Sequence, residues 1–196
     1  MSKITAGFSM SLDGYVADPN DGVEDVFKWY STGNTDAEYT VGDATFKMSA
    51  EGAEYIKEAG QVVGVLVTAR RTFDVANAWG GRHPMDVPIV VVTHRIPEEW
   101  VNRKGSPFTF VTEGLPKAIE TAREIAGDKD VVVGAPSVTQ QCLRLGFLDE
   151  IHIDLVPVVL GGGIRLFEDG RAPVRLEITA ASGTPTVTHL TYRVIR

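Results

Sequence analysis

Residues 131–141 read VVVGAPSVTQQ, a short apolar β-branched run that breaks at Gly134 and passes directly into a helical pattern. A buried strand that ends in small residues and launches a helix collects free backbone N–H groups and the positive end of a helix dipole at one point. Such a point suits a phosphate or pyrophosphate. The arrangement recurs at residues 62–74, VVGVLVTARRTFD, now with two arginines and a threonine on the first turn. Two anion-binding strand–helix junctions in one small chain suggest a dinucleotide cofactor, and the strand–helix alternation implies a parallel sheet.

With 196 residues the chain is read as one domain, 1–196, long enough for a sizeable core. Hydrophobic residues make up 43% and charged residues 23%, as in a globular protein. A net charge of −7 argues against nucleic-acid and anionic-membrane partners. Against that background Arg70–Arg71 and His94–Arg95 stand out. The one cysteine, Cys142, excludes an intrachain disulfide and fits a reducing compartment. No stretch approaches the ~20 apolar residues of a membrane span, and the N-terminus lacks a signal-peptide pattern. A cytoplasmic location is expected.

The pattern predicts strands at 3–10, 15–17, 62–68, 89–93, 108–112, 130–133 and 149–159, with helices over 50–59 and 70–78. Two further helices carry apolar stripes at Leu115, Ala118, Ile119, Ala122, Ile125 and at Val138, Cys142, Leu145. Residues 18–48 read as a long irregular stretch holding the aromatics Phe27, Trp29 and Tyr30. Residues 174–182 and 186–195 read as a terminal hairpin, which adds antiparallel strands and makes the sheet mixed.

The segments SMSLDGYVA, VTARRTFD, VVVTHR and VVVGAPSVTQQCLRLGFLDEIHIDLVPVVLGGGIRLFE, in that order, resemble the dihydrofolate reductase superfamily. The match is nearest the branch holding the reductase domain of the bifunctional riboflavin-biosynthesis deaminase–reductase. The resemblance implies a three-layer α/β/α fold with a mixed, mostly parallel central sheet, NADPH as cofactor, and a homodimer. The activity it implies is that of an NADPH-dependent oxidoreductase, with 5-amino-6-(5-phosphoribosylamino)uracil reductase as the nearest reaction. Dihydrofolate reductase, or a reductase of another small heterocycle, is the alternative. A nucleotide-binding module without catalysis is another.

Ala69, Arg70, Arg71 and Thr72 are cofactor candidates: first-turn N–H groups for phosphate and an arginine fork for a 2′-phosphate. Basic residues are unfavourable at a helix N-terminus, so two there need a reason. Thr93, His94 and Arg95 follow a strand and suit the adenosine end of NADPH, or form a plain polar loop. At the third junction Gly134 and Ala135 let a pyrophosphate approach, Pro136 fits a first helical turn, and Ser137 and Val138 offer N–H groups. The family more often has glycine at the places of Ala69 and Ala135. Without a G-x-G-x-x-G fingerprint, each site is weak alone.

The resemblance puts Ser11, Asp13 and the loop Gly161, Gly162, Gly163 beside the substrate, and the aromatics Trp29 and Tyr30 suit the lining of a pocket for a small planar heterocycle. Each has an equally ordinary reading. Asp13-Gly14 is a turn dipeptide, the aromatics suit a core, and three glycines suit a sharp turn. Asp13 is the one candidate acid. Two departures bear on the substrate: riboflavin-pathway reductases carry a lysine where this chain has Gly7, and a phosphate-gripping segment where it has Asp74–Trp79. The acid that dihydrofolate reductases carry on the first helix is not placed. His83, His94, His152 and His189 make no metal-ligand pattern, and neither a deaminase zinc set nor a Gly-x-Ser-x-Gly elbow is present.

Overall fold

A computed structural model describes residues 2–41, 44–101, 103, 105–169 and 172–196. In chain order the elements are β1 (Ile4–Ser11), β2 (Tyr15–Ala17), α1 (Glu24–Phe27), β3 (Thr35–Val41), β4 (Ala44–Met48), α2 (Ala50–Val62), β5 (Val63–Ala69), α3 (Arg70–Val75), β6 (Ile89–Val92), β7 (Phe108–Val111), α4 (Leu115–Ala126), β8 (Asp130–Val133), α5 (Pro136–Arg144), β9 (Glu150–Val156), β10 (Ile164–Arg165), β11 (Leu176–Thr184) and β12 (Val187–Val194). Eight strands form one sheet in the order β11-β12-β9-β1-β8-β5-β6-β7. From β9 to β7 neighbours run parallel, and β12 and β11 add antiparallel strands at one edge. The mixed, mostly parallel sheet read from the sequence is the one observed.

The valine-rich strands are central because they must be covered on both faces. Alternate residues sort into different clusters. Ile4, Ala6, Val65, Val67, Val131, Val133, Ile151 and Ile153 pack with α4 and α5 on one face. On the other face two separate clusters form. Val156 and Val187 lie with Val26, Trp29 and Met48, beside Tyr55 of α2. Leu66, Ile89, Val91 and Phe108 lie under Phe73 of α3, with Trp79 and Trp100 packed against them. Between these two clusters runs the β1–β8 part of the sheet.

Several expectations are corrected. Residues 18–48 are not irregular throughout: they hold α1 and the antiparallel pair β3–β4. The helix placed at 50–59 passes through Gly60 to Val62 and joins β5 without a loop. Its start is as the sequence implies, with the Ser49 hydroxyl accepting the Gly52 N–H at 3.0 Å. The helix placed at 70–78 stops at Val75, and a tight turn over Asn77–Gly81 follows, with Asn77, Ala78 and Trp79 at positive φ. Residues 15–17 leave the main sheet to pair with β10. The long strand placed at 149–159 ends at Val156. The stripe on α4 closes on buried Ala126, leaving Ile125 exposed, and Leu145 is exposed beyond the end of α5. Among the described residues no helix is long and apolar enough to cross a membrane.

Candidate active site

The β8–α5 junction passes from strand to helix through Gly134 and Ala135. The Gly134 N–H donates to the Val67 carbonyl at 3.0 Å, tying β8 to β5. Helix α5 then starts at Pro136 with no side-chain cap, so no side chain accepts from its first-turn N–H groups. Ala135 is buried in the α4–α5 core, and Ala69 packs against the same core. A Cβ at Gly134 itself would stand 2.9 Å from Leu66 Cδ1. Two buried hydroxyls have no hydrogen-bond partner among the described residues, Thr68 Oγ1 on β5 and Thr139 Oγ1 on α5. Both residues are fully buried within the fold. Ser137 is exposed and Val138 buried.

The second junction is smaller. Helix α3 has six residues and no side-chain cap at Ala69, and Thr72 is half-buried on its first turn. Its two arginines do not form one fork. Arg70 pairs with Asp74 at 2.7 Å and donates to the Arg95 carbonyl at 3.2 Å, which brings it to the β6 loop. Arg71 instead pairs with Asp21, on the segment after β2, at 2.8 Å. Thr93 Oγ1 donates to the Arg95 carbonyl at 2.8 Å, while His94 and Arg95 are exposed. The structure thus assembles Arg70, Thr93, His94 and Arg95, and takes Arg71 elsewhere. These exposed ion pairs are worth only about 0–1 kcal/mol each, so exchanging a carboxylate for a phosphate is cheap.

Between the two clusters the sheet is open. Gly7 is exposed although β1 is a central strand, and a Cβ there would meet only Val132 Cγ1, at 4.0 Å. The register Thr5↔Val132 and Ala6↔Val133 carries Gly7 alongside Gly134 one residue further on. The floor of the cleft therefore abuts the β8–α5 junction. Across β1, Gly7 pairs with His152 and Ser9 with Asp154 on β9. His152 is half-buried, with its Nδ1 3.3 Å from Thr191 Oγ1, and burial lowers its pKa. Asp154 is buried, with Oδ1 2.7 Å from His189 Nδ1. Tyr55 stacks on His189 at 3.8 Å and hydrogen-bonds Asp154, and burial, with that carboxylate, holds its phenol protonated. His189 Nε2 is buried without a partner among the described residues.

The substrate residues expected from the sequence behave differently, and four are corrected. Ser11 is fully buried, donating to Asp13 at 2.7 Å and accepting the Tyr15 N–H at 2.9 Å. Asp13 accepts the N–H groups of Leu160 at 3.1 Å and Gly161 at 2.7 Å. The Ser11 hydroxyl, with those N–H donors, lowers its pKa, and the carboxylate clasps the backbone at 160 and 161. Trp29 is 2% exposed, donates Nε1–H to Ser9 Oγ at 2.9 Å and stacks on half-buried Tyr30. It backs the cleft wall from within the core. Gly163, at φ 134°, lies where a Cβ would sit 2.1 Å from the Ala17 carbonyl, so this end of the glycine loop serves the crossing of β10 over β2. Gly161 is exposed at positive φ and Gly162 is half-buried beside it. Sequence reasoning missed Tyr55, Asp154 and His189 as a group. It saw Gly7 only as a departure. Among the described residues no group of three or more His, Cys, Asp or Glu is placed to hold a metal ion.

A mixed sheet in this strand order, with α5 launched just after the glycine that follows β8, is the dihydrofolate-reductase-like fold. The chain belongs to the RibD C-terminal domain family, whose model matches residues 2–190. That is a family of reductase domains, and it implies an NADPH-dependent pyrimidine reductase. No curated protein matches the chain. Among solved structures it is similar to a provisionally named riboflavin biosynthesis protein from Shewanella sp. PV-4, with TM-score 0.76, 20% identity and 99% of each chain covered. It is also similar to the diaminohydroxyphosphoribosylaminopyrimidine deaminase/5-amino-6-(5-phosphoribosylamino)uracil reductase of Thermotoga maritima, with TM-score 0.63 and 12% identity, where 99% of this chain spans 57% of that one. A third is dihydrofolate reductase from Enterococcus faecalis complexed with NADP(H), with TM-score 0.58, 12% identity, and 99% and 97% covered. At these identities the likeness is one of fold.

Proposed function

We propose that residues 1–196 act as one domain that reduces a planar heterocycle of the pyrimidine type in the cleft over Gly7. The observation that carries this reading is the register that brings Gly7 beside Gly134. It supports reading the cleft over Gly7 and the start of α5 as one continuous site. The N–H groups of Ser137 and Val138 would hold the pyrophosphate, with Gly134 leaving room for its approach and Pro136 starting the helix, and Arg70, Thr93 and Arg95 would hold the 2′-phosphate. When bound there, NADPH supplies a hydride. The chain's own part is to seat the ring over Gly7 and Val132, to fix its polar edge along β9, and to keep water out. The flanking clusters supply the walls. A floor left open in the middle of a sheet fits a reductase better than a nucleotide-binding module without catalysis.

The arginine and threonine set is expected to make NADPH bind about tenfold more tightly than NADH, the lower range for a charge-assisted contact. Titrating both by calorimetry checks this, and equal affinities would remove the 2′-phosphate assignment. Location in a reducing compartment such as the cytoplasm agrees with the single buried thiol, Cys142, which burial pushes up to about 12.

A homodimer belongs to the same proposal. On the face that carries α4 and α5, the strands β9, β12 and β11 lie beyond the helices. Met10, Leu12, Leu155, Phe167, Leu190 and Tyr192 line an apolar hollow of about 370 Å³ there. Leu12 is 66% and Ile178 61% exposed, which is what a face shared with a second copy would show. Sedimentation should give twice the 21.2 kDa chain mass. A monomer at tens of micromolar would contradict it.

A further inference from the structure

We infer that His152 is the proton donor of the reduction, passing a proton from Nε2 to a ring nitrogen of the heterocycle seated over Gly7. The inference rests on the proposed reading of the cleft and names the acid for it. Ile151 and Ile153 of β9 are buried in the core with α4 and α5, so His152 between them faces the cleft. Its register partner on β1 is Gly7. Neighbouring strands lie about 4.8 Å apart, which puts the imidazole at the edge of the bare floor. Its side chain keeps 33% of its surface open. Thr191 stands on β12, on the opposite side of β9 from β1, and its hydroxyl lies 3.3 Å from Nδ1. The two ring nitrogens diverge, so Nε2 is turned away from β12. Nε2 is 3.7 Å from Glu150 Oε2, beyond hydrogen-bond length, and that carboxylate is engaged by Lys3 at 2.8 Å.

Reducing a C=N bond requires a hydride at carbon and a proton at nitrogen. The hydride comes from NADPH, which leaves as NADP+. The Nε2–H bond of the imidazolium breaks as the new N–H bond forms, and C=N becomes CH–NH. The neutral imidazole is then reprotonated from solvent through its open side. An acid of this kind works only while it holds its proton, and the surroundings set that. Burial is the largest influence and lowers the His152 pKa. Glu150, Asp154 and Asp130 raise it, and Lys3 lowers it. On β12, Arg193 is turned to Glu177 at 3.0 Å and His189 is held by Asp154. The balance lies below the ordinary value of about 6.5. Above that balance the protonated fraction, and turnover with it, falls about tenfold per pH unit. A ligand nitrogen that accepts from Nε2–H favours the imidazolium, so ligand binding takes up a proton.

Calorimetry of 2-amino-4-oxopteridine binding at pH 7, in two buffers of different ionisation enthalpy, reads that proton directly. The NADP+-loaded wild type should take up at least about 0.2 proton, and His152→Gln none. Single turnovers of 2-amino-4-oxo-7,8-dihydropteridine, which carries a C=N bond, supply the second readout. Wild-type rates should fall about tenfold per unit from pH 7 to 9, and His152→Gln should be at least about a hundredfold slower at pH 7, with no slope. NADPH affinity should stay within about twofold in the variant, since His152 stands away from α5. Equal proton uptake in wild type and variant overturns the inference, and so does a variant that keeps the rate or the slope, because the slope then belongs to the ligand. If the dihydropteridine binds without being reduced, proton uptake alone decides. If wild type binds neither pteridine, the reading of the cleft falls and this inference with it. That result is distinct from a pteridine that binds with no proton taken up, which removes His152 alone.

Discussion

Gly7→Leu is expected to leave the protein folded and to stop turnover. A side chain at this position meets open space, since Val132 Cγ1 at 4.0 Å is the nearest neighbour of its Cβ. Leucine in a strand also removes the entropic penalty of glycine, so stability should stay level or rise by up to about 1 kcal/mol. The same side chain occupies the floor on which the heterocycle is to lie. Turnover should fall at least about a hundredfold, roughly 2.7 kcal/mol of transition-state stabilisation. Thermal unfolding and NADPH titration run beside the assay separate the two effects. An active Gly7→Leu protein would place the substrate elsewhere. An unfolded one would mean that the cleft is not open as described.

Gly134→Val should abolish cofactor binding at a modest cost in stability. Its Cβ would stand 2.9 Å from Leu66 Cδ1, the free end of a side chain that can turn aside. Overpacking of this kind costs about 1–3 kcal/mol. The branched side chain would also fill the cradle formed by the uncapped start of α5, and NADPH affinity should drop at least about a hundredfold. Gly134→Ala, which adds one methyl group, should give an intermediate loss. Circular dichroism confirms the fold while calorimetry reads the affinity. Wild-type affinity in the valine variant would move the pyrophosphate away from α5.

The parts of this molecule that were legible in its sequence are those set by local pattern. The run of valines ending at Gly134, with Pro136 behind it, is both a buried strand and a helix start, and the structure has both. The Ser11–Gly14 turn was legible as a turn, but its polar groups are consumed within the fold. Asp13 binds the backbone at 160 and 161, a contact 147 and 148 residues away that no local pattern encodes. Trp29 looks the same in a sequence whether it lines a pocket or fills a core; its hydrogen bond to Ser9 decides for the core. The cleft was not legible because it is a gap between two clusters, and a gap follows from where long-range packing stops. Asp154 and His189 are 35 residues apart and meet only through the antiparallel register of β9 and β12. Tyr55 joins them from a helix whose end was placed too early, at Gly60.

Strain accumulates close to the site as well. Asn77, Ala78 and Trp79 take successive positive φ values, a left-handed turn that non-glycine residues adopt at about 1–2 kcal/mol each. The turn buries Ala78 and sets Trp79 against the Phe73 and Phe108 rings of the cluster that walls one side of the cleft. Packing of that wall offsets the backbone cost.

The central claim is that the proposed pyrophosphate site at α5 and the cleft over Gly7 are one site. Mapping backbone amide shifts by NMR during an NADPH titration tests it most directly. The account predicts the largest changes at the amides of Gly134, Ser137 and Val138, with a second group at Gly7–Ser9 on the adjoining strand, and smaller ones at Arg70 and Arg95. Shifts concentrated on the apolar face of β11 and β12, with Gly134 and Gly7 unmoved at saturation, would contradict it.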